Sequence, residues 1–340
     1  MKAKRFNELF FSRTREFLDE YLTSQCSRST HTIKAYRDAL TILRRYVASQ
    51  GYSLKAFGFA DCTRDFLLGF MEHLQQSGYE KSSCNQRLAA IKSYMWYVAD
   101  GDITWQQDAL MVSRVPFLRV PDKERATLSE KCLKSLFSAP GNSRRGIRDA
   151  TIMIILYDSA IRLSELIGLM VSDVNLQNNI PYLRIRGKGD RERIVSISDH
   201  AADHLKNYME LFHGLESPMT DRLFYTVIHD QVHAMSPGNV ARIIDKYVEI
   251  IRPDHPDLPE KVHPHMFRRT RATDLYQSNI ELELVSRILG HSSTQTTRIY
   301  AKPSLEMLKA AMDQSNPELN AEDPLWPDDE DEFARICGLR

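Results

Sequence analysis

Three short stretches of this 340-residue chain hold the residue types that chemistry at a phosphodiester needs. One is Leu289-Gly-His-Ser-Ser-Thr-Gln-Thr-Thr-Arg-Ile-Tyr300, which sets an imidazole, His291, nine residues ahead of a phenol, Tyr300. The second is His263-Pro-His265-Met-Phe-Arg268-Arg269-Thr-Arg271, with His265 and Arg268 three apart on one side of a predicted helix. The third, far upstream, is Tyr157-Asp-Ser-Ala-Ile-Arg162-Leu-Ser-Glu165-Leu, in which Arg162 and Glu165 can share a helix face. A phenol ionises near pH ~10 and is a poor nucleophile at neutral pH. A cationic, desolvated pocket favours the phenolate and stabilises a pentacoordinate phosphorane. Arginine forks match the non-bridging oxygens. Histidines, with pKa near ~6.5, can accept the phenolic proton or hydrogen-bond an oxygen. A lysine can protonate the departing alkoxide. The product is a covalent phosphotyrosine, which another hydroxyl can reverse, and no metal or cofactor is required.

Residue types alone leave other readings open, because eleven histidines and fourteen tyrosines make chance pairs common. A metal-dependent nuclease needs carboxylates that converge from separate elements. The dense acids here are consecutive, near the end of the chain. No Gly-x-x-x-x-Gly-Lys-Ser/Thr supports ATP hydrolysis. The five cysteines are widely spaced and form no Cys-x-x-Cys, so a reduced, cytoplasmic protein without structural zinc or other metal is expected. No apolar run approaches the ~20 residues of a membrane span, and the basic N-terminus lacks the apolar core of a signal peptide. The net charge is zero, but unevenly spread. Residues 316–340 hold eight acids and two bases, a net of −6, which leaves +6 on the body. That tail has too few apolar residues to pack, and it is expected to be disordered.

The positioning elements read as mainly helical. Two helices are predicted over residues 7–50, the second starting at Ser29-Thr30, with further helices at Asp65–Gln76 and Ser82–Ala99. This helical unit ends near residue 112. Its basic residues Lys34, Arg37, Arg87 and Lys92 read as outward-facing, either solvated or turned to a polyanion. Residues 113–127 carry two prolines and four bases, Arg119 among them, and read as an extended linker. From Leu128 to about 315 a second, α-rich unit follows, with a buried helix over 146–158, a break at Ser159-Ala-Ile, and a helix from Leu163. A hairpin over 180–198 carries Lys188 at its tip among Arg184, Arg186, Arg191 and Arg193, a basic loop suited to a phosphate groove. Helices at 200–213, 236–252, 265–276 and 280–289 come next, the last stopped by Gly290. A final amphipathic helix follows Pro303, with Leu305, Leu308 and Met312 on one stripe.

Taken together, Ala160-Ile-Arg162-Leu-Ser-Glu165-Leu, Gly187-Lys188-Gly189-Asp-Arg-Glu-Arg-Ile-Val, His265-Met-Phe-Arg268, Leu289-Gly-His291 and Tyr300 resemble the tyrosine recombinases, the phage integrase and Xer-like family. Asn85-Gln-Arg87-Leu-Ala-Ala-Ile-Lys-Ser-Tyr resembles that family's N-terminal core-binding domain, and the likeness spans roughly residues 10–315. The resemblance implies a helical DNA-binding domain over 1–112 and an α-rich catalytic domain with a small antiparallel sheet over 128–315, the DNA-breaking-rejoining fold. It implies that Arg162 and Arg268 clamp the scissile phosphate, Lys188 is the general acid, and His265 is the acid/base. His291 would hydrogen-bond the phosphate, Tyr300 would attack, and Glu165 would orient Arg162 or a neighbour. It also implies double-stranded DNA with inverted-repeat core sites, a synaptic tetramer in which the last helix docks on a neighbouring protomer, and work at the nucleoid, with a partner recombinase or directionality factor. Arg269 and Arg271 add positive charge where the family often has His after the second arginine. Ala160-Ile-Arg162 stands where Gly-Leu-Arg is frequent. Integration or excision of a mobile element is the first role expected, and Xer-type dimer resolution the second. A type IB topoisomerase, a telomere resolvase and a catalytically silent DNA-binding accessory protein are the competing readings.

Overall fold

Serines start the main helices. Ser29, Ser129, Ser143, Ser198 and Ser236 each precede an apolar-periodic run, and each hydroxyl accepts a backbone N–H from the first turn that follows. In a computed structural model these caps open helices Thr30–Ser49, Glu130–Ser138, Arg144–Asp158, Asp199–Phe212 and Pro237–Ile251. The structure describes residues 5–121, 126–177, 179–187, 192–214, 221–291, 294–300, 303, 305–315 and 329–339. The chain divides into two units at Glu124/Arg125, within the proline-bearing stretch 113–127.

The first unit is built around aromatic rings. Phe10, Phe17, Phe57, Phe59, Phe70 and Tyr94 are buried, and the Tyr94 hydroxyl donates to the Phe10 carbonyl at 2.6 Å. Where the pattern predicts an ordinary first helix, a short turn at Thr14–Glu16 runs into a π-helical stretch, Phe17–Gln25. Helices Arg64–Gln76 and Lys81–Gly101 follow as expected, and Gln106–Ser113 adds one the pattern does not show.

Two of the expected outward bases differ. Lys92 is half-buried: its ammonium donates to the carbonyls of Ser113 (2.9 Å) and Val115 (2.5 Å) and lies 4.3 Å from the Phe117 ring centroid. Burial lowers its pKa. Arg87 is half-buried over the Tyr79 ring and donates to the Ser83 carbonyl. Asn85 holds Leu118 through both backbone groups, at 2.9 and 2.8 Å, so residues 114–118 are fastened to the 81–101 helix rather than free. Lys34, Arg37 and Arg119 are exposed, and Arg37 pairs with Asp19 at 2.8 Å.

In the second unit the 144–158 helix is the hub. Every residue from Asp149 to Leu156 is buried, as the apolar run requires, and helices 130–138, 199–212 and Pro264–Gln277 pack around it. The hairpin pairs Tyr182–Arg186 with Glu192–Ser196, and a short strand, Val174–Asn175, adds a third antiparallel member. A second hairpin, Tyr225–Ile228 with Gln231–Ala234, also lies outside the sequence expectation. The acidic tail differs from expectation at its end, where Asp329 caps a helix, Glu330–Ile336.

Lys92→Ala is expected to lower the stability of the first unit by about 1–3 kcal/mol, because two charge-assisted hydrogen bonds go and two carbonyls lose a donor. Lys34→Ala should leave it within about 0.5 kcal/mol. Urea unfolding of both variants checks this, and equal stabilities would return Lys92 to the solvent face.

Candidate active site

The site lies in the second unit and is assembled from helix ends. Ala160 leaves the 144–158 helix with φ +51°, a left-handed conformation that a residue with a Cβ rarely adopts. This explains why the resembling family often has glycine there. The turn sets the Ala160 carbonyl toward Arg268, whose Nη1 donates to it at 2.6 Å. The next element is helix Leu163–Gly168, with Arg162 at its entrance.

Arg268 comes from the 264–277 helix, which Pro264 starts at its first position. Its side chain is buried, at 1% exposure. Nη2 donates to the Leu289 carbonyl at 2.6 Å and to His291 Nε2 at 2.9 Å. Arginine only donates, so His291 Nε2 accepts and Nδ1 carries the proton. That Nδ1 reaches the Thr297 hydroxyl at 2.8 Å. Among the described residues no carboxylate pairs with Arg268, and its Nε has no hydrogen-bond partner. Burial, then the charge of Arg162, pulls its pKa down to about 10.

Glu165 organises the other arginines. Its carboxylate accepts the Arg162 backbone N–H at 2.8 Å and Arg162 Nη1 at 3.0 Å. It also accepts a two-pronged contact from Arg193, at 3.0 and 2.8 Å. Burial pushes the Glu165 carboxyl up, but the Arg193 and Arg162 hydrogen bonds and charges outweigh it and hold it below its ordinary range. Gly290 ends helix Leu282–Leu289 at φ +62°, and a Cβ there would stand 2.7 Å from the Arg193 guanidinium. The left-handed backbone favours glycine at that position, and a Cβ there would displace the Arg193 guanidinium from Glu165.

Tyr300 closes the 3-10 turn Arg298–Tyr300 and is buried. Its hydroxyl is 3.4 Å from His265 Nε2, and its ring lies near-parallel to His291, with centroids 6.2 Å apart. His265 is exposed on its outer side. Desolvation on its inner side, then the charges of Arg268 and Arg269, lower its pKa to about 4. The imidazole is therefore neutral at pH 7. His291 is half-buried, and burial followed by Arg268 and Arg162 likewise lowers it to about 4. A neutral His265 beside the phenol can accept its proton, and a contact of this length tightens when a substrate enters.

Arg162, Glu165, His265, Arg268, His291 and Tyr300 thus come together. Lys188 and Arg191 lie outside the described residues. Arg186 is exposed and pairs with Asp173 at 3.2 Å and Glu192 at 3.5 Å. Arg269 is half-buried and donates to the Ala126 carbonyl at 2.9 Å. Arg271 is half-buried, 3.9 Å from Asp158, with the Tyr157 ring beneath it. Sequence reasoning placed Arg193 only in a basic crowd and passed over Thr297. Arg193 carried a signal: it shares strand parity with buried Val195 and Ile197, and an inward arginine needs a partner.

The family of phage integrases matches residues 126–307, and the phage integrase N-terminal SAM-like domain matches residues 16–100. Tyrosine recombinase XerC of Pelobacter propionicus is 31% identical over 313 residues, covering 89% of this chain and 95% of that protein. Tyrosine recombinase XerD of Proteus mirabilis is 29% identical over 304 residues, covering 89% and 92%. The XerH site-specific recombinase, solved with a palindromic difH substrate after cleavage, shares the fold at a TM-score of 0.69 and 19% identity, over 87% of this chain and 83% of that one. A helical N-terminal domain ahead of a mainly helical domain with small antiparallel sheets is the architecture that this chain shares with that recombinase. The chain belongs to the phage integrase family and is a tyrosine recombinase. Among the described residues no helix is long and apolar enough to cross a membrane.

The depressed histidines make stability depend on pH. Between about pH 6.5 and 4 the unfolded chain takes up protons that the folded site refuses, so stability falls as pH drops through that window. His291→Asn is expected to lose less stability than the parent between about pH 7 and 5. Denaturant unfolding at both pH values measures it, and an unchanged slope would mean that His291 titrates normally.

Proposed function

We propose that Tyr300 attacks a DNA phosphodiester, forming a 3′-phosphotyrosine bond and releasing a 5′-hydroxyl. His265 Nε2 takes the phenolic proton as the P–O bond forms. Lys188 delivers a proton to the leaving 5′-oxygen. Arg268 and Arg162 neutralise the non-bridging oxygens. Glu165 holds Arg162 in place and is itself clamped by Arg193, while His291, with Nε2 accepting from Arg268 and Nδ1 turned to Thr297, steadies the Arg268 guanidinium rather than donating to the phosphate. Attack by the 5′-hydroxyl of another strand reverses the sequence and rejoins DNA, so each bond broken is balanced by one formed. The observation that carries this reading is the Tyr300 hydroxyl facing a neutral imidazole, packed against His291 and its arginine partner.

The same reading extends to assembly. Residues 1–112 and 128–315 would act as the DNA-binding and catalytic domains, joined by 113–127. Lys34, Arg37 and Arg119, all exposed, are candidates for contacts to backbone phosphates, which set a protein's register on a duplex. Helix Leu305–Ser315 exposes Leu305, Leu308 and Met312, a face suited to a neighbouring protomer in a synaptic tetramer on inverted-repeat sites. The protein would act at the nucleoid in the cytoplasm, alone or with a partner recombinase. Of the two biological roles, integration or excision of a mobile element and Xer-type dimer resolution, the names of the curated relatives favour the second. A rise in plasmid multimers on deleting the gene supports resolution; flanking inverted repeats with cargo support the mobile element.

A nicked suicide duplex tests the chemistry. The parent is expected to form a covalent protein–DNA adduct that Tyr300→Phe cannot form at all. Arg268→Ala should slow adduct formation by about 100-fold or more. An adduct of undiminished yield with Tyr300→Phe would remove Tyr300 as the nucleophile.

A further inference from the structure

Outside the recombination site, three metal-ligating groups meet at the start of the second unit. Cys132 lies in the first turn of the 130–138 helix and is buried. His255 and Asp257 lie in the loop between the 237–251 and 264–277 helices. Cys132 Sγ stands 3.5 Å from His255 Nδ1 and 3.5 Å from Asp257 Oδ2. His255 Nδ1 is 3.9 Å from Asp257 Oδ1, and one donor atom from each residue falls within 4.8 Å of the others.

The two sulfur spacings match edges of a tetrahedral ion, and the His255–Asp257 spacing of 3.9 Å needs to close by about half an ångström to match the third. With Zn–S near ~2.3 Å and Zn–N or Zn–O near ~2.0–2.1 Å, sulfur and its neighbours around zinc stand about 3.6 Å apart. The outer contacts are those of a prepared site. Ser135 Oγ lies 2.8 Å from His255 Nε2, so that nitrogen can donate to it and leave the Nδ1 lone pair directed at Cys132. Ser129 Oγ donates to Asp257 Oδ2 at 2.7 Å and fixes the carboxylate, while also capping the helix. A thiol has one proton and faces two acceptors, so hydrogen bonding serves only one of them at a time. A cation in place of that proton satisfies all three groups.

We propose that Cys132, His255 and Asp257 bind one zinc ion, with water in the fourth position. The Asp257 side chain is 55% exposed, against 13% for His255, so water has access from that side. The thiol passes its proton to solvent as the Zn–S bond forms. The mixed thiolate, imidazole and carboxylate set suits zinc and disfavours calcium or magnesium, which take oxygen ligands. The ion would clip the loop that leads into His263, Pro264 and His265 to the first helix of the unit. The 123-residue separation of Cys132 and His255 hides this set from any spacing rule, which accounts for the expectation of no zinc.

Cobalt(II) is the probe, added to chelator-treated full-length protein. One equivalent is expected to give a thiolate-to-cobalt charge-transfer band and tetrahedral visible bands, both removed by zinc. Cys132→Ser should abolish the charge-transfer band, and Cys337→Ser, at an exposed cysteine, should keep it. The near-isosteric Asp257→Asn should weaken cobalt and zinc affinity about 10-fold or more, and zinc should raise the Tm of the parent alone. Absence of the charge-transfer band in the parent overturns the proposal, as does an equal band in Cys132→Ser. So does an affinity unchanged in Asp257→Asn, which keeps the test decisive if Cys132→Ser fails to fold.

Discussion

A buried guanidinium that forms no ion pair with a carboxylate among the described residues governs this site. Burying an unpaired charge costs several kcal/mol, and burial, ahead of the charge of Arg162, is what lowers the pKa of Arg268. Two carbonyls at helix C-termini compensate in part. Leu289 ends one helix, and Ala160 lies just past the end of another, where unpaired carbonyls carry the negative end of the helix dipole. The left-handed turn at Ala160 and the glycine stop at 290 are the backbone devices that bring these ends to one side chain. What remains is a positive charge held in place and incompletely answered by the protein, as an oxyanion site requires.

The surrounding charges fit the same purpose. Arg162 and Arg193 pair with one carboxylate, Glu165, Arg268 pairs with none among the described residues, and both histidines are neutral at pH 7, which leaves an excess of two positive charges among these six side chains. A phosphodiester under attack by a phenolate passes through a phosphorane carrying about two negative charges, so in the proposed reaction the excess matches the charge that develops. Glu165 therefore does not quench the site. It fixes the direction of Arg162 and ties the β-hairpin, through Arg193, to the helix that Arg162 opens. The neutral histidines follow from the same field, since every nearby guanidinium opposes their protonation.

Much of this was legible in the sequence. Serine caps, the apolar 144–158 run and the Gly290 stop each state a local requirement that no distant contact overrides. The order of Arg162, His265, Arg268, His291 and Tyr300 was legible for the same reason, because short motifs hold each near a helix end. The hairpin at 225–234 was not, because its turn residues His229 and Asp230 take positive φ without the Asn-Gly or Asp-Gly signal such turns usually show. Lys92 was misread because periodicity gives a side chain's direction and not what the chain later lays over it. Here residues 113–117 return to cover its ammonium. Arg193 and Thr297 act through partners far away in sequence or in an irregular turn, which periodicity does not reach.

The central claim is that fixed guanidinium charge answers the charge of the scissile phosphate. Replacing one non-bridging oxygen of that phosphate by a methyl group removes the negative charge and leaves the geometry. The measurement is the ratio of parent to Arg268→Ala cleavage rates on the methylphosphonate duplex, compared with the same ratio on the ordinary phosphate. A ratio at least about 10-fold smaller on the neutral substrate is the expected result. Equal ratios on the two substrates would show that Arg268 serves the structure of the site and not the charge of the reacting group.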